Sequence, residues 1–369
     1  MIRPIAPAAI EQQIVYAPAI ANKQGEQDAL TALRHTERYR ILPVIMVLRR
    51  PRYKRIDPTS GENKTEEKTI ELHVRDQCDR IEAILENDMF SAHIQRVALD
   101  LWALSRAEKA CHLHLFEGTL RDGLHASIAP VIYPDQPVDH FQQAVDWSQR
   151  HRSGLCLRLR IRKNLPFPTR EDVDALLQEC AIKQGEIDLL IDAMNITSTD
   201  IEPYASAIAD LLKELGSQWR STIMLSGSFP SSLKKLAYDV IHELPRLELA
   251  LWRAVQQRLG DQAARLIFGD YGMTYPFLAD GGLPPDPNFR YAGPQSWMVV
   301  RKAGADAMPL VCRAIVDSPW YGGTDASLAD AWLARVSQRL ASPGNGTIWA
   351  REGWSRHLAQ TLRQLTSGS

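Results

Sequence analysis

The chain has 369 residues, of which 45% are hydrophobic and 24% charged, so it is long enough to bury a large core. Its 43 lysines and arginines almost balance its 44 aspartates and glutamates. The resulting net charge of −1 excludes a strong overall attraction to nucleic acid or to an acidic membrane surface, although a local basic patch stays compatible with it. No uncharged apolar run approaches the roughly 20 residues that a membrane-spanning helix needs.

The amino-terminal stretch and the cysteines predict the compartment. Pro4, Pro7 and Pro18 interrupt any continuous apolar region of the kind found in a signal peptide. The five cysteines are widely spaced and form no C-x-x-C pair, which favours reduced thiols. We therefore expect a soluble cytoplasmic protein.

Short apolar runs alternate with segments of helical periodicity over most of the chain, which is typical of a parallel sheet covered by helices. Several runs are rich in branched aliphatic residues, as expected of strands buried on both faces. The sequence predicts an α/β protein, a (β/α)8 TIM-like barrel, in which residues 1–270 form the barrel. The eight predicted strands are residues 14–20, 41–48, 97–101, 127–132, 155–161, 187–191, 222–225 and 265–268.

The remaining segments are assigned by composition. Residues 51–70 are polar and contain two prolines, which favours an exposed loop. Residues 271–369 begin with a turn-rich stretch and continue with strand-like and helical patterns. We predict that this C-terminal part forms a strand pair and helices that pack on the barrel.

Period-2 alternation predicts which side chains face the barrel interior. In the third strand Val97, Leu99 and Leu101 share one face, which places Asp100 and Trp102 on the other face. Since functional groups of such barrels come from the carboxyl ends of the strands, both residues are candidates for a site.

The fifth strand places two arginines, Arg158 and Arg160, on the interior face. A buried guanidinium needs an anionic partner. Asp100, Asp192 and Asp270 stand at strand ends and can supply carboxylates, and an anionic ligand is the other source. A network of arginines and aspartates that only stabilises the barrel is the alternative to a functional site.

Ser226, Gly227 and Ser228 end the seventh strand and, in this interpretation, lead into a helix, where backbone N–H groups can hold a phosphate. Their alternative role is that of turn and cap residues. Three inward aspartates are also compatible with Mg²⁺, although nothing in their spacing requires it. The histidine spacing gives no zinc motif, and the P-loop, G-x-G-x-x-G and G-x-S-x-G patterns are absent, so no metal or cofactor is predicted.

A set of motif residues extends along nearly the whole chain. It comprises Tyr16, Pro18, Lys23, Gly25, Glu26, Ala29, Leu30, Pro43, Asp192, residues 226–230, residues 245–248, residues 268–271, Arg290, Tyr291, Trp297, Arg301, Tyr321, Gly322 and residues 354–357. This set resembles the bacteriophage Beta protein family, which also occurs in bacterial genomes. The insertion at residues 51–70 departs from the family pattern.

The resemblance implies a phage or host-conflict setting, such as antiviral defence, but no established activity. It adds Lys23, Glu26 and Tyr271 to the candidate site residues, because they lie beside predicted strand ends. Lys23 and Glu26 are also explained by an ion pair at the start of a helix. Asp270 follows Gly269 in a Phe-Gly-Asp-Tyr segment and is the foremost single candidate for function.

Two functions follow from these patterns. The first is an enzyme that acts on a phosphorylated or nucleotide-like ligand. Arg158 and Arg160 would clamp the anion, Asp192 or Asp270 would act as general base or as cation ligand, and Lys23 would stabilise charge. Residues 226–228 would hold phosphate.

The second function is a non-catalytic barrel that binds a protein partner or, with less support, a nucleic acid in phage–host conflict. Its contact surface would combine a basic stretch at residues 49–55 with the aromatic residues Tyr53, Tyr275, Trp320 and Tyr321. A membrane is not an expected partner.

Overall fold

The computed structural model describes residues 14–49, 52–56, 63–67, 69–85, 96–105, 108, 127–136, 138–161, 166–180, 182–276, 287–304 and 306–367. Its strands in chain order are β1 (Tyr16–Ala21), β2 (Val44–Met46), β3 (Arg52–Ile56), β4 (Asn63–Glu67), β5 (Arg96–Asp100), β6 (Ser127–Ile132), β7 (Leu155–Arg160), β8 (Ile187–Asn195), β9 (Ser221–Gly227), β10 (Ile241–Pro245), β11 (Leu266–Asp270), β12 (Asn288–Ala292) and β13 (Ser296–Arg301).

Eight of these strands form a closed barrel, in the order β1, β11, β9, β8, β7, β6, β5, β2. Every neighbouring pair is parallel, including the closing pair β1 and β2. Each of the eight strands overlaps one of the predicted runs, so the prediction of a (β/α)8 barrel is confirmed. Because all eight strands run in the same direction, their carboxyl ends meet at one end of the barrel.

Helices cover the outside of the barrel in the connections between successive strands, apart from the connection of β5 to β6, most of which lies outside the described residues. Thr169 caps the start of the fifth helix, because its hydroxyl accepts a hydrogen bond from the Asp172 N–H at 3.2 Å. The helices are α1 (Gln24–Thr31), α2 (His35–Arg38), α3 (Ile70–Leu85), α4 (Val138–His151), α5 (Arg170–Cys180), α6 (Ile201–Leu215), α7 (Leu247–Leu259), α8 (Ala307–Val316), α9 (Leu328–Ser337) and α10 (Gly346–Thr366), with 3-10 turns at Gln184–Glu186, Ser198–Asp200 and Gly260–Arg265.

The barrel strands separate two hydrophobic layers, as period-2 alternation requires. Ala19, Val44 and Leu190 belong to the interior core. Ile20 and Ile45, their neighbours in sequence, point outward and pack in the layer between strands and helices. The same alternation decides which polar side chains reach the barrel interior.

The C-terminal part contains the predicted strand pair, β12 and β13, which is antiparallel. A third strand, β10, joins the pair by antiparallel pairing with β13. This strand comes from the connection between β9 and α7, which corrects the expectation that a helix directly follows β9. Helices α8 and α9 pack against this sheet.

Residues 51–70 are not simply a loop. Strands β3 and β4 within this segment pair antiparallel, with Arg52 opposite Glu67 and Lys54 opposite Thr65. The sequence-based expectation of an exposed loop is corrected for these ten residues.

The described helices and cysteines can be compared with the prediction of a soluble protein with reduced thiols. No helix of the described part of the chain combines the length and the apolar character that crossing a membrane requires. Cys156 and Cys312 are buried and free, and Cys78 is buried. The other two cysteine side chains lie outside the described set.

Candidate functional site

The barrel interior at the carboxyl end of the strands is filled by a polar network centred on Arg158. Its Nε and Nη2 donate to Asp192 Oδ2 at 3.0 and 2.7 Å, and its Nη1 donates to Asp100 Oδ2. The Tyr133 hydroxyl donates to Asp100 at 2.6 Å, and the Tyr271 hydroxyl donates to Asp192 at 2.8 Å. Strands β5, β7 and β8 and the residues after β6 and β11 therefore meet at one point, which we call the mouth network.

The two carboxylates of the mouth network also accept hydrogen bonds from backbone N–H groups through their other oxygen. Asp192 Oδ1 accepts the Met194 N–H, and Asp100 Oδ1 accepts the Trp102 N–H, each at 2.8 Å. Burial acts to raise the pKa of Asp100, but Arg158 and Arg160 outweigh burial and hold that pKa below its usual value. Asp100 is therefore an ionised partner of the arginines.

Arg160 differs from Arg158 because its guanidinium is incompletely paired. It lies on one side of the Trp102 and Tyr133 ring pair, 4.1 and 4.6 Å from their centroids. Its Nη2 donates to the Tyr133 hydroxyl at 3.1 Å and lies 3.9 Å from Asp100 Oδ2, whereas its Nε lies 3.8 Å from Asp192 Oδ2, which is too far for a hydrogen bond. The Nε atom is buried and has no hydrogen-bond partner among the described residues.

Asp270 does not join the mouth network, which corrects the expectation that it converges with Asp100 and Asp192. Alternation places Phe268 and Asp270 on the outer face of β11 and Tyr271 on the inner face. Asp270 Oδ1 accepts the Tyr16 hydroxyl at 2.7 Å and lies 3.0 Å from His357 Nε2.

The Asp270 cluster fixes the last helix on the barrel, because His357 belongs to α10. Arg246 lies 3.4 Å from Asp270 Oδ2 and also donates to the Thr361 hydroxyl of α10 at 3.0 Å. Burial acts to raise the pKa of Asp270, but His357, Arg246 and the Tyr16 hydroxyl hold it below its usual value. The geometry assigns Asp270 to packing of α10 instead of to a ligand site.

The predicted phosphate cradle at Ser226, Gly227 and Ser228 has a different arrangement. Ser226 lies opposite Asp270 in the sheet, on the outer face, and its buried Oγ has no partner among the described residues. Ser228 accepts the N–H of Leu247, the first residue of α7, and donates to the Glu248 carboxylate. Because a carboxylate already stands at this helix start, phosphate binding there is disfavoured.

Gly227 has a packing role beside the mouth. A Cβ atom at this position would lie 3.1 Å from the ring of Tyr271. The missing side chain therefore lets Tyr271 lie close to β9, where it contributes its hydroxyl to the mouth network.

Lys23 and Glu26 follow β1 at the same end of the barrel. Lys23 is exposed and Glu26 is buried, and they form no ion pair within the described part of the chain. Glu26 Oε2 is buried without a hydrogen-bond partner among the described residues. Burial raises the pKa of Glu26 to about 7, although Lys23, the Ala21 backbone and Arg290 act against the rise.

The opposite end of the barrel contains a second ionic cluster that the sequence patterns did not predict. Asp188 accepts hydrogen bonds from Arg96 at 3.0 Å and from Arg220 at 2.7 Å. Asp188 is inward like Leu190, two residues later, so alternation predicts its direction. Its position at the amino ends of the strands indicates a role in stability.

The described residues do not assemble a metal site. They include no group of three or more histidine, cysteine, aspartate or glutamate side chains arranged to hold an ion. Asp100 and Asp192 both form ion pairs with Arg158, so a guanidinium already lies where a cation would bind both carboxylates.

A comparison with known protein families agrees with the family motifs. A zinc-bound amidohydrolase from Burkholderia ambifaria is similar at 12% identity over 74% of this chain and 80% of that chain, with a TM-score of 0.29, which is too low to support a functional argument. No match was found among curated proteins. The family model described as Beta protein matches residues 16–363, which is nearly the whole chain. The chain therefore belongs to the Beta protein family.

Proposed function

We propose that the chain binds a phosphorylated, nucleotide-like ligand at the carboxyl end of the barrel, with Arg160 as the anion-binding residue. The observation that carries this proposal is the buried Nε of Arg160, which has no hydrogen-bond partner among the described residues. A guanidinium presents its donors in a planar fork that matches phosphate oxygens. An anion at the mouth would satisfy the donor that Asp100 and Asp192 leave unmet.

The aromatic residues beside Arg160 support a planar ring in the ligand. Trp102 is 38% exposed and its ring lies 4.9 Å from that of Tyr133. One side of this pair holds the guanidinium, and the exposed part of the indole offers a surface on which a base can stack. A phosphate next to a planar ring is the chemistry of a nucleotide.

The mouth aspartates support the site indirectly. Asp192 and Asp100 hold Arg158 through charge-assisted hydrogen bonds, and Tyr133 and Tyr271 complete the network. Their oxygens are occupied, so they suit positioning better than proton transfer.

The non-catalytic alternative, binding of a protein or nucleic acid in phage–host conflict, has less support. In the β3–β4 pair the basic residue Arg52 stands opposite Glu67, and Tyr53 stands opposite Glu66. Acidic residues of β4 thus lie opposite the basic stretch of β3, which weakens the positive surface that a nucleic acid would need.

Calorimetric titration with inorganic phosphate, ribose 5-phosphate and adenosine 5′-monophosphate tests the proposal. We expect the nucleotide to bind most tightly. Arg160→Gln should weaken its binding by about 10- to 100-fold, the range for a lost hydrogen bond to a charged group. Arg160→Lys, which keeps the charge without the fork, should lie between the two proteins.

Arg265→Gln is the matched control, because Arg265 is exposed and lies at the amino end of β11, away from the mouth. Its affinity for the nucleotide should equal that of the unmodified chain. Equal affinities in Arg160→Gln and in the unmodified chain, or no binding of any of the three compounds, would refute the proposal. Melting temperatures without ligand show that each variant is folded.

A further inference from the structure

A second polar group with unmet hydrogen-bonding capacity lies across the same barrel end from Arg160. Glu26 follows β1, and in the eight-strand order β1 is directly opposite β7, which carries Arg160. Glu26 shares the buried face of α1 with Ala29 and Leu30, at the end of the helix nearest the strands.

Arg290 stands on the same side of the barrel end. Its Nη1 donates to the Met273 carbonyl at 2.7 Å, and its guanidinium lies 4.9 Å from the ring of Phe229. Met273 follows β11 and Phe229 follows β9, so Arg290 lies beyond the carboxyl ends of the strands that flank this side. Glu26, Arg290 and the mouth network are thus at one end of the barrel.

Glu26 and Arg290 influence each other without touching. The described residues include no ion pair between them within bonding distance, yet each acts on the pKa of the other. Burial lowers the pKa of Arg290 to about 10, and Glu26 opposes that shift. Two opposite charges with poor access to water are expected to pair directly, so the lack of that pair leaves each of them able to interact with a bound polar group.

Other charged side chains around α1 have their own partners. Arg80 of α3 donates to the Asn22 carbonyl, and Arg351 of α10 pairs with Glu352. Among the charged groups that face Glu26, Lys23 and Arg290 are those that favour its ionised form. Neither is close enough to form an ion pair with it in the described part of the chain.

The charge balance of the mouth network affects the protonation of Glu26 when a ligand binds. Asp100 and Asp192 offset Arg158 and Arg160, so the network is neutral before a ligand arrives. A phosphate dianion then adds net negative charge to a poorly hydrated site. In such surroundings a second anion is disfavoured, and a carboxylate responds by taking up a proton.

We infer that Glu26 is the proton-exchanging group of the nucleotide site and that its ionised form takes up a proton from solvent when the phosphorylated ligand binds. The carboxylate becomes a carboxylic acid, and no covalent bond of the ligand changes. The protonated Glu26 then has an O–H that can donate to a ligand oxygen. This inference rests on the proposed binding function.

Calorimetry of adenosine 5′-monophosphate binding at pH 7.5, in buffers of different ionisation enthalpy, counts the protons taken up. With a pKa of about 7, Glu26 is ionised in roughly three-quarters of the unliganded molecules, which sets the upper limit of its uptake. Glu26→Gln should lose this uptake, while proton exchange by the ligand itself remains in both proteins and cancels in the comparison.

Glu352→Gln is the matched control. Glu352 is as buried as Glu26, and burial also raises its pKa, but it lines the outer groove between α1, α9 and α10. This variant should keep the full uptake. Equal uptake in Glu26→Gln and the unmodified chain, with binding still dependent on Arg160, would overturn the inference alone. Absence of Arg160-dependent binding would overturn the proposed function and this inference together.

Discussion

Glu26→Gln should stabilise the protein at neutral and alkaline pH. Glu26 is 5% exposed, and its Oε2 has no hydrogen-bond partner among the described residues. The fold therefore favours the protonated carboxyl, whereas the unfolded chain ionises freely. Glutamine mimics the protonated form in shape and charge, so it removes the penalty of ionising a buried group.

The size of the effect follows from the shift in pKa from 4.5 to about 7. One pKa unit corresponds to about 1.4 kcal/mol, so the full penalty is about 3 kcal/mol. The folded pKa is the higher one, so the stability that Glu26 contributes is fully present below pH 4.5. It falls as the pH rises and reaches its lower limit above about pH 7.

Urea unfolding of both proteins at several values between pH 4 and pH 8 measures this difference. The advantage of Glu26→Gln should grow with pH by about 3 kcal/mol across that range. Any pH-independent effect of the amide cancels when two pH values are compared. A difference that stays constant with pH would refute the reasoning, because it would mean that Glu26 ionises equally in both states.

Two further substitutions test the packing of the barrel. Asp192→Asn should lower the free energy of unfolding by about 3–5 kcal/mol, since it removes a main partner of the fully buried Arg158. Asp174→Asn, which removes one partner of an exposed ion pair, is the control and should change this free energy by less than about 1 kcal/mol. Denaturant unfolding measures both. Gly272→Ala should lower the melting temperature more than Gly216→Ala. Both glycines have positive φ, but a Cβ would lie 2.6 Å from Trp354 at Gly272 and meets nothing within 4 Å at Gly216.

Local sequence patterns were enough to predict the barrel and part of the polar side chains at its mouth. Each barrel strand is a short apolar run, and alternation correctly turned Asp100, Arg158 and Arg160 inward. The same rule, applied to β11, predicts an outward Asp270, because Phe268 two residues earlier is apolar and packs outside. The misplacement of Asp270 was therefore avoidable from sequence.

Other features depend on contacts between distant segments. Arg290 reaches the barrel end because β12 pairs with β13, which in turn pairs with β10 from another part of the chain. Neither the position of β10 nor the pairing of β3 with β4 follows from an apolar run, since both regions are polar or mixed in sequence. The burial of Glu26 could be predicted in part from the sequence, because Ala29 and Leu30 lie three and four residues later on the same helix face.

Residues 268–271 form one of the motifs that carried the family resemblance. Their side chains lie on the two faces of β11 and have different roles. Phe268 packs in the outer core, and Gly269 permits close approach of β1, because a Cβ there would lie 3.0 Å from the Ala17 carbonyl. Asp270 fixes α10, and Tyr271 joins the mouth network. Packing and hydrogen bonding therefore account for every member of this motif without catalysis.

The Arg160 Nε and the Glu26 Oε2 stand apart from these groups. Both are buried on the β7 and β1 sides of one barrel end, and the described residues satisfy neither. An unsatisfied buried donor or acceptor typically costs about 1–3 kcal/mol, and more when it is charged. A protein that only needed a stable barrel would gain by replacing both residues, so their presence together favours a ligand that supplies an acceptor to one and a partner to the other.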